Sequence, residues 1–227
     1  MKKYTVADYL HHRLAELGLT HLFGVAGNYT APLLDTILAD PDSKVALVNM
    51  PNELCAGYAA DAYARIKGIS AVAVTYSVGS FHLLNPIAGA FVEQIPIVVI
   101  NGSLTNKEWI NVGQIGLIYS HSLSDPMSNL NVFRQVTIAA ERISNGIEAP
   151  FQIDAALSAC VSRSGPVYLE VLEDVWRATC QPPAAPLPIG QSYVTNTSNE
   201  STLAQALEAT KDLILKYQDP FFWVGSE

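Results

Sequence analysis

The sequence predicts an α/β fold built on a parallel six-stranded sheet with helices on both faces. Short runs rich in Val and Ile alternate with longer segments of helical periodicity through residues 4–180. The runs are apolar at consecutive positions and are bounded by Gly, Pro or Asn, as expected for strands buried on both faces. Strands that alternate with helices are typical of a mostly parallel sheet covered on both sides.

Each element is predicted from its own pattern. We predict strands at His21–Val25, Val45–Asn49, Ser70–Tyr76, Ile97–Asn101, Gln135–Ala139 and Val167–Leu172. Helical periodicity predicts helices at Val6–Leu17, Ala31–Ala39, Glu53–Ile66, Ser80–Gln94 and Pro150–Ser162. The segment Asn106–Leu130 is long and poorly periodic, and such a segment in a compact domain is typical of a functional loop.

The composition changes near residue 181 and indicates a domain boundary. We predict a first domain at 1–181, a linker at 182–199 that begins with four closely spaced prolines, and the truncated start of a second α/β domain at 200–227. In that last part we expect a helix at Ser201–Tyr217, capped by Asn199 or Ser201, and then a strand. One helix and one strand cannot bury their apolar faces alone, so we expect a fragment of a longer protein.

Charge and composition narrow the classes of partner. The 227 residues carry a net charge of −8 and have no basic run, so nucleic acid and an anionic membrane surface are not expected partners. The longest apolar stretch, Phe81–Ile100, is interrupted by prolines and polar residues and is not a membrane span. Cys55, Cys160 and Cys180 are widely spaced, which indicates a reducing cytoplasm and neither a disulfide framework nor a metal site.

The segment Asn49–Arg65 contains one carboxylate, Glu53, at the start of a helix rich in small residues. A helix of this composition can lie very close to a neighbour, so we expect Glu53 to be partly buried. Burial raises the pKa of a carboxyl group because it disfavours the charged form. Since burying an acid is unfavourable, a buried acid indicates a functional role. The alternative is that Glu53 has no functional role and lies there because the helix macrodipole favours a negative charge at a helix N-terminus.

Two glycine-containing turns, Gly24–Tyr29 and Thr75–Ser80, each follow a predicted strand. In open parallel sheets, ligands bind in the loops at the carboxyl ends of the strands. Taken singly, each turn is also compatible with a purely structural strand-to-helix connection. The glycine spacings of dinucleotide-binding and P-loop motifs are absent, so the sequence does not predict a nucleotide phosphate site.

In chain order, the segments FGVAGNY, NELCAGYAADAYAR, VTYSVGSFHLLNPIAGAFVEQIPIVVING, SHSLSD and GPVYLEV resemble the N-terminal pyrimidine-binding domain of thiamine-diphosphate-dependent enzymes. The resemblance is to the pyruvate and indolepyruvate decarboxylase group and covers roughly Tyr4–Cys180. It implies the thiamine diphosphate-binding fold, thiamine diphosphate as cofactor, and magnesium held by ligands in a later domain. It also implies a small 2-oxo acid substrate and a homodimer or homotetramer.

The resemblance also implies roles for single residues. Glu53 matches the glutamate that hydrogen-bonds a ring nitrogen of the aminopyrimidine and so promotes loss of the thiazolium proton. His121 matches one of a pair of histidines that hold and protonate intermediates, although a histidine in a polar loop is more often simply solvated. The residues that match the cofactor-lining positions are Ala26, Gly27, Thr75, Val78 and Gly79. The sequence does not decide whether His82 contacts the active cavity.

Three positions depart from that family's pattern. Asn28 replaces a catalytic aspartate and cannot carry a proton, Ser120 replaces the first of the paired histidines, and Ala26 replaces a proline. The aspartate and the histidines serve protonation and aldehyde release, whereas Glu53 serves cofactor activation. The sequence therefore favours a carboligase, or a decarboxylase of unusual substrate, whose 227-residue fragment is inactive alone. The alternative is a non-catalytic dimerisation or regulatory module that retains the fold.

Overall fold

A computed structural model describes residues 3–116, 121, 125–189, 199–217, 219 and 221–222. Within them lie strands β1 (His21–Gly24), β2 (Ala46–Asn49), β3 (Ser70–Thr75), β4 (Ile97–Ser103), β5 (Ala139–Ile143) and β6 (Val167–Leu172). All neighbours are parallel, and the strand order is β2-β1-β3-β4-β6-β5. The predicted fold class is confirmed.

Local sequence signals explain the ends of several helices. They are α1 (Val6–Glu16), α2 (Ala31–Ala39), α3 (Glu53–Lys67), α4 (Leu84–Val92), α5 (Asn106–Ile115), α6 (Ser128–Phe133), α7 (Ala149–Ser162) and α8 (Glu200–Lys216). A 3-10 helix at Ser80–Leu83 leads into α4. A capping box of Thr5 and Asp8 starts α1, and Gly68, with φ 91°, ends α3 in the left-handed conformation. In the described part of the chain, every helix is too short or too polar to cross a membrane.

Each face of the sheet has its own apolar core. Helices α1, α2 and α7 cover one face, where Val98, Ile100 and Leu169 are fully buried. Helices α3, α4 and α6 cover the other face, where Val72 and Val99 are fully buried. Successive strand residues point to opposite faces, so β4 and β6 are buried at every position. This double burial explains why those strands are apolar at most consecutive positions, with Asn101, Ser103 and Glu170 as buried polar exceptions.

The fifth strand differs from its predicted position at Gln135–Ala139 and begins only at Ala139. The backbone N–H groups of Gln135 and Val136 donate to carbonyls at the end of α6, and the Thr137 hydroxyl donates to the Phe133 carbonyl at 2.7 Å. These hydrogen bonds continue the helix into a turn, so residues 135–137 are not part of the strand.

The predicted loop Asn106–Leu130 is wrong at both ends, because its last three residues belong to α6 and its first part, Asn106–Ile115, forms α5. Its start is a capping box: Thr105 Oγ1 accepts from the Glu108 N–H at 3.1 Å, and Glu108 Oε2 accepts from the Thr105 N–H at 2.9 Å. The T-x-x-E spacing was present in the sequence and predicts this helix start. Residues 117–120 and 122–124 lie outside the described residues.

The chain divides into two compact units, Met1–Gln191 and Ser192–Glu227. In the first unit, the proline-rich segment reaches α1: the Leu187 N–H donates to Glu16 Oε1 at 2.6 Å, and Arg13 Nη1 donates to the Ala185 carbonyl at 3.0 Å. In the second, Asn199 caps α8 by accepting from two backbone N–H groups, as predicted. The exact bounds of the predicted linker stay a prediction, and residues 190–198 and 223–227 lie outside the described residues.

Candidate active site

The two glycine-containing turns lie beside each other at the carboxyl edge of the sheet. They follow β1 and β3, which are adjacent parallel strands with Gly24 opposite Ala73. A Cβ atom on Gly24 would lie 2.2 Å from the Ala73 carbonyl oxygen, so only glycine allows this approach. The Met50 N–H donates to the Gly24 carbonyl at 2.9 Å, which fixes the connection that leads into α3 at the same edge.

Glu53 is the first residue of α3, and its position is set by a helix cap. The Asn52 side chain accepts a hydrogen bond from the Cys55 N–H at 2.8 Å. The Glu53 side chain is 16% exposed, so the predicted partial burial is confirmed. The partial positive charge of the helix N-terminus favours a carboxylate at this place, so the macrodipole and partial burial act on the same group.

The small residues of α3 bring it close to α4, as predicted. A Cβ atom on Gly57 would lie 2.4 Å from Cγ of Pro86, and Ala56 and Ala60 are fully buried. Interiors this dense transmit displacements rather than absorb them. The backbone that carries Glu53 is therefore held in one place relative to α4 and the turn before it.

Four of the predicted site residues form one continuous contact. A Cβ atom on Gly27 would lie 2.6 Å from Cβ of Thr75, so the first turn rests directly on the second. A Cβ atom on Gly79 would lie 2.7 Å from the Thr75 carbonyl oxygen and 3.2 Å from Glu53 Oε1. Gly79 thus leaves the space beside the carboxylate free of side-chain atoms. The structure brings Gly27, Thr75, Gly79 and Glu53 together.

The conformation of the second turn depends on Asn129, which sequence reasoning missed. Ser77 has φ 51°, a left-handed conformation that costs a non-glycine residue about 1–2 kcal/mol. Asn129 Oδ1 accepts from the Ser77 N–H at 3.1 Å and from the Ser80 hydroxyl at 2.8 Å. Asn129 Nδ2 donates to Ser77 Oγ at 3.0 Å. Because Asn129 follows Ser77 by 52 positions, no local sequence signal could have identified this pairing.

His82 contacts the predicted catalytic carboxylate. Its Nδ1 lies 3.1 Å from Glu53 Oε2, and its side chain is 59% exposed. The 3-10 helix that follows the Thr75–Ser80 turn places the imidazole there. The sequence left open whether His82 contacts the active cavity. The structure shows that His82 contacts Glu53.

Three other predicted residues lie exposed on the same turns: Ala26, Asn28 and Val78. The turn that holds Asn28 is closed by the Thr30 N–H, which donates to the Gly27 carbonyl at 3.1 Å. His121 is exposed with φ 58°, and its placement relative to Glu53 stays a prediction. The predicted role of Ser120 falls outside the described residues.

A second polar cluster lies inside the sheet, near the carboxyl ends of β4 and β6. Glu170 is 1% exposed and pairs with Arg142 at 3.3 Å. Its two oxygens accept from the Tyr168 hydroxyl at 3.2 Å and the Ser103 hydroxyl at 3.3 Å. Burial raises the pKa of Glu170 above its ordinary value, lowers that of Arg142, and raises that of Tyr168. Sequence analysis did not single out Glu170.

Comparison with known proteins identifies the first domain. Residues 4–116 match the family model of the thiamine pyrophosphate enzyme N-terminal TPP binding domain. This part of the chain belongs to that family. Within its bounds lie the two glycine-containing turns, Glu53 and His82.

Several curated proteins are similar over nearly the whole chain. Pyruvate decarboxylase 2 of Arabidopsis thaliana is 36% identical over 222 residues, which are 95% of this chain and 35% of that protein. The alpha-keto-acid decarboxylase of Mycobacterium tuberculosis H37Rv is 39% identical over 217 residues, again 95% of this chain and 37% of the relative. The chain thus spans little more than a third of the length of these relatives.

A solved structure supports the fold. The thiamine diphosphate-dependent 4-hydroxybenzoylformate decarboxylase of Rhodococcus jostii RHA1 superposes with a TM-score of 0.72 over 92% of this chain and 37% of that one. At 22% sequence identity, this likeness concerns the fold alone.

The residues at the carboxyl edge fit the aminopyrimidine part of thiamine diphosphate. The glycines at 27 and 79 let the backbone of both turns lie against Thr75, and Val78, 38% exposed, could contact a flat ring with its apolar side chain. Glu53 supplies a carboxylate beside Gly79. Among the described residues, no group of three or more His, Cys, Asp and Glu side chains could hold a metal ion. The predicted magnesium ligands in a later domain stay a prediction.

Proposed function

We propose that this chain is the N-terminal, pyrimidine-binding part of a thiamine-diphosphate-dependent 2-oxo-acid decarboxylase or carboligase, in which Glu53 activates the cofactor. One observation carries the proposal: a largely enclosed carboxylate stands at a helix N-terminus beside a glycine whose missing Cβ leaves its oxygen accessible. The names of the similar curated proteins, which are decarboxylases, support the reaction class.

The residues of this chain bind the pyrimidine and hold a proton. When bound, thiamine diphosphate supplies an acidic thiazolium carbon that can attack the carbonyl carbon of a 2-oxo acid after losing its proton. Gly27, Thr75, Val78 and Gly79 line the ring. Glu53 hydrogen-bonds a ring nitrogen and gives and takes one proton there, which is general acid–base catalysis by an enclosed carboxyl group.

The first test replaces Glu53 in the full-length protein, with thiamine diphosphate, magnesium and pyruvate or another 2-oxo acid. We expect Glu53→Gln to lower carbon dioxide release by about 10²–10⁴-fold, because general acid–base catalysis typically contributes this much. The control is Glu93→Gln, since Glu93 is exposed and pairs with Arg65 on the outer side of α3. Equal activity of the two variants would remove Glu53 from the mechanism. A wild-type protein that releases no carbon dioxide from any 2-oxo acid in a substrate screen would favour the non-catalytic module.

The products separate decarboxylation from carboligation. Asn28 and Ser120 stand where the related decarboxylases of the resembled group carry proton-transferring residues, so we propose that product leaves chiefly by transfer to an acceptor carbonyl. Aldehyde, acyloin and acetolactate are measured together with carbon dioxide. The double variant Asn28→Asp, Ser120→His should raise the share of free aldehyde, and an unchanged share means that these two positions do not determine the product.

The remaining expectations belong to the same proposal. We propose a cytoplasmic enzyme that binds magnesium with its cofactor and assembles as a homodimer or homotetramer, without nucleic acid or membrane partners. Because the chain covers between 35% and 38% of its relatives, the diphosphate and metal ligands are expected in the remainder of the protein. The 227-residue chain alone is then expected to be inactive.

A further inference from the structure

His82 is a titratable group at the site to which the proposed reaction assigns no task. We propose that His82 transfers the proton between Glu53 and solvent, and so acts on the cofactor through Glu53 as a positioning and proton-transfer residue. This inference rests on the proposed function of Glu53, and the experiments below separate the two.

The geometry joins an enclosed acid to an exposed base. Glu53 Oε2 and His82 Nδ1 are 3.1 Å apart, which is hydrogen-bonding distance. The Glu53 side chain is 16% exposed, whereas that of His82 is 59% exposed. A cofactor ring placed beside Gly79 would cover Glu53 further. In the described part of the chain, the imidazole therefore offers the carboxyl group a path to water that does not pass through the cofactor.

The transfer balances with these two groups and a buffer acid. Protonated His82 gives its Nδ1 proton to Glu53 Oε2: the N–H bond breaks, an O–H bond forms, and the imidazolium–carboxylate pair becomes a neutral imidazole and a carboxylic acid. The neutral ring then takes one proton from a buffer acid or hydronium ion. The reverse sequence removes the proton from Glu53. Imidazole suits this task because it changes charge near neutral pH.

The other charged groups nearby belong to separate contacts. Helix α4, which follows His82, has no charged residue. On α3, Asp61 and Arg65 lie eight and twelve positions beyond Glu53, or about 12 and 18 Å along the helix axis, and they pair with each other and with Glu93. The first two turns of α3 also carry the exposed Cys55 and Tyr58, and the preceding turn carries the buried Tyr76, whose ring contacts Tyr29. Glu53 is the charged group whose contact with His82 the described residues show.

The first experiment measures protons rather than turnover. Thiamine diphosphate with magnesium is titrated into the full-length apoprotein by calorimetry at pH 6.5, in two buffers of different ionisation enthalpy. Glu53 takes up a proton as the cofactor binds, and in the wild type His82 releases part of one because its carboxylate partner has become neutral. We therefore expect His82→Gln to take up more protons from the buffer than the wild type. Equal uptake by both proteins would overturn the coupling.

The second experiment measures the exchange of the cofactor thiazolium hydrogen with deuterium, by rapid quench and NMR, in holoenzyme without substrate. At low buffer concentration, His82→Gln should slow exchange about ten-fold or more, and added imidazole should restore it, while the wild type does not respond to imidazole. Glutamine keeps a hydrogen-bond donor but cannot carry the proton, so a merely positioning role predicts no rescue. His12→Gln on the exposed side of α1 is the control.

The Glu53→Gln holoenzyme distinguishes the two proposals. If Glu53→Gln abolishes exchange and His82→Gln exchanges at the wild-type rate, the role of His82 is wrong and that of Glu53 stands. If Glu53→Gln exchanges at the wild-type rate, the proposed function itself fails. Slow exchange in both variants, with imidazole rescue only in His82→Gln, is the result that we expect.

Discussion

Two carboxylates, Glu53 and Glu170, lie in opposite kinds of surroundings in one domain. Glu53 keeps 16% of its side chain exposed and has its imidazole partner toward solvent. Glu170 is 1% exposed, and its oxygens accept from Tyr168 and Ser103 while Arg142 balances its charge. The first carboxylate is partly open to solvent, whereas the second is enclosed by protein groups that donate to both of its oxygens.

The difference shows that burial alone does not identify a functional acid. Burial raises the pKa of Glu170, yet that side chain faces other protein groups and no ligand can reach it. Glu53 lies at a helix N-terminus, beside a glycine that leaves its oxygen uncovered. The remaining exposure of Glu53, 16% of its side chain against 1% for Glu170, separates the two.

The largest effect on stability is expected at Glu170. Replacing it by alanine leaves the Arg142 guanidinium buried without its counter-charge, and breaking a buried ion pair typically costs about 3–5 kcal/mol. Urea denaturation of the chain should show a lower free energy of unfolding by this amount for Glu170→Ala. For Glu53→Ala we expect a change within about 1 kcal/mol, since its ion pair is with a largely exposed histidine, His82.

Glu173→Ala is the matched control, because Glu173 pairs with Arg177 across one helical turn at the surface. Its free energy of unfolding should lie within about 0.5 kcal/mol of the wild type. If Glu170→Ala is no less stable than Glu173→Ala, the buried cluster does not hold the sheet together and the contrast with Glu53 disappears.

The two regions also differ in how far the sequence predicts them. The turns around Gly27 and Gly79 and the helix start at Glu53 are local patterns, and the structure brings these residues together. Asn129 and Arg142 act through partners that are distant in the chain, so no spacing rule identifies them. The fifth strand is mispredicted for a local reason: its charged Glu141 and Arg142 interrupt the apolar pattern, so the pattern predicts a strand that starts four residues before the observed one.

Asn129 should give the next largest effect, and it shows that the Glu53 region has a buried structural part of its own. Asn129→Ala leaves the Ser77 N–H and the Ser80 hydroxyl without their acceptor, and an unsatisfied buried group costs about 1–3 kcal/mol. The turn beside Glu53 should relax, so thiamine diphosphate should bind more weakly to the full-length protein. Urea denaturation and fluorescence titration with the cofactor measure the two effects.

The neighbouring Asn131→Ala is the control, since Asn131 hydrogen-bonds Asp125 and Arg134 at the surface. It should leave cofactor affinity unchanged. Wild-type affinity in Asn129→Ala would mean that the left-handed conformation of Ser77 needs no support from Asn129, and that the turn beside Glu53 is specified locally after all.

The smallest expected effect is the pH dependence that Glu170 gives to stability. Its pKa in the folded protein is raised above the ordinary value of 4.5, so between these two values the folded state binds more protons than the unfolded state. The free energy of unfolding must then fall as the pH rises through this interval, by at most about 1.4 kcal/mol per pH unit for one proton. Glu170→Gln removes the proton and should flatten this part of the curve, measured by urea denaturation from pH 4 upward. An unchanged slope would mean that Arg142 keeps Glu170 ionised as an ordinary pair, and the contrast between Glu170 and Glu53 would then concern exposure alone.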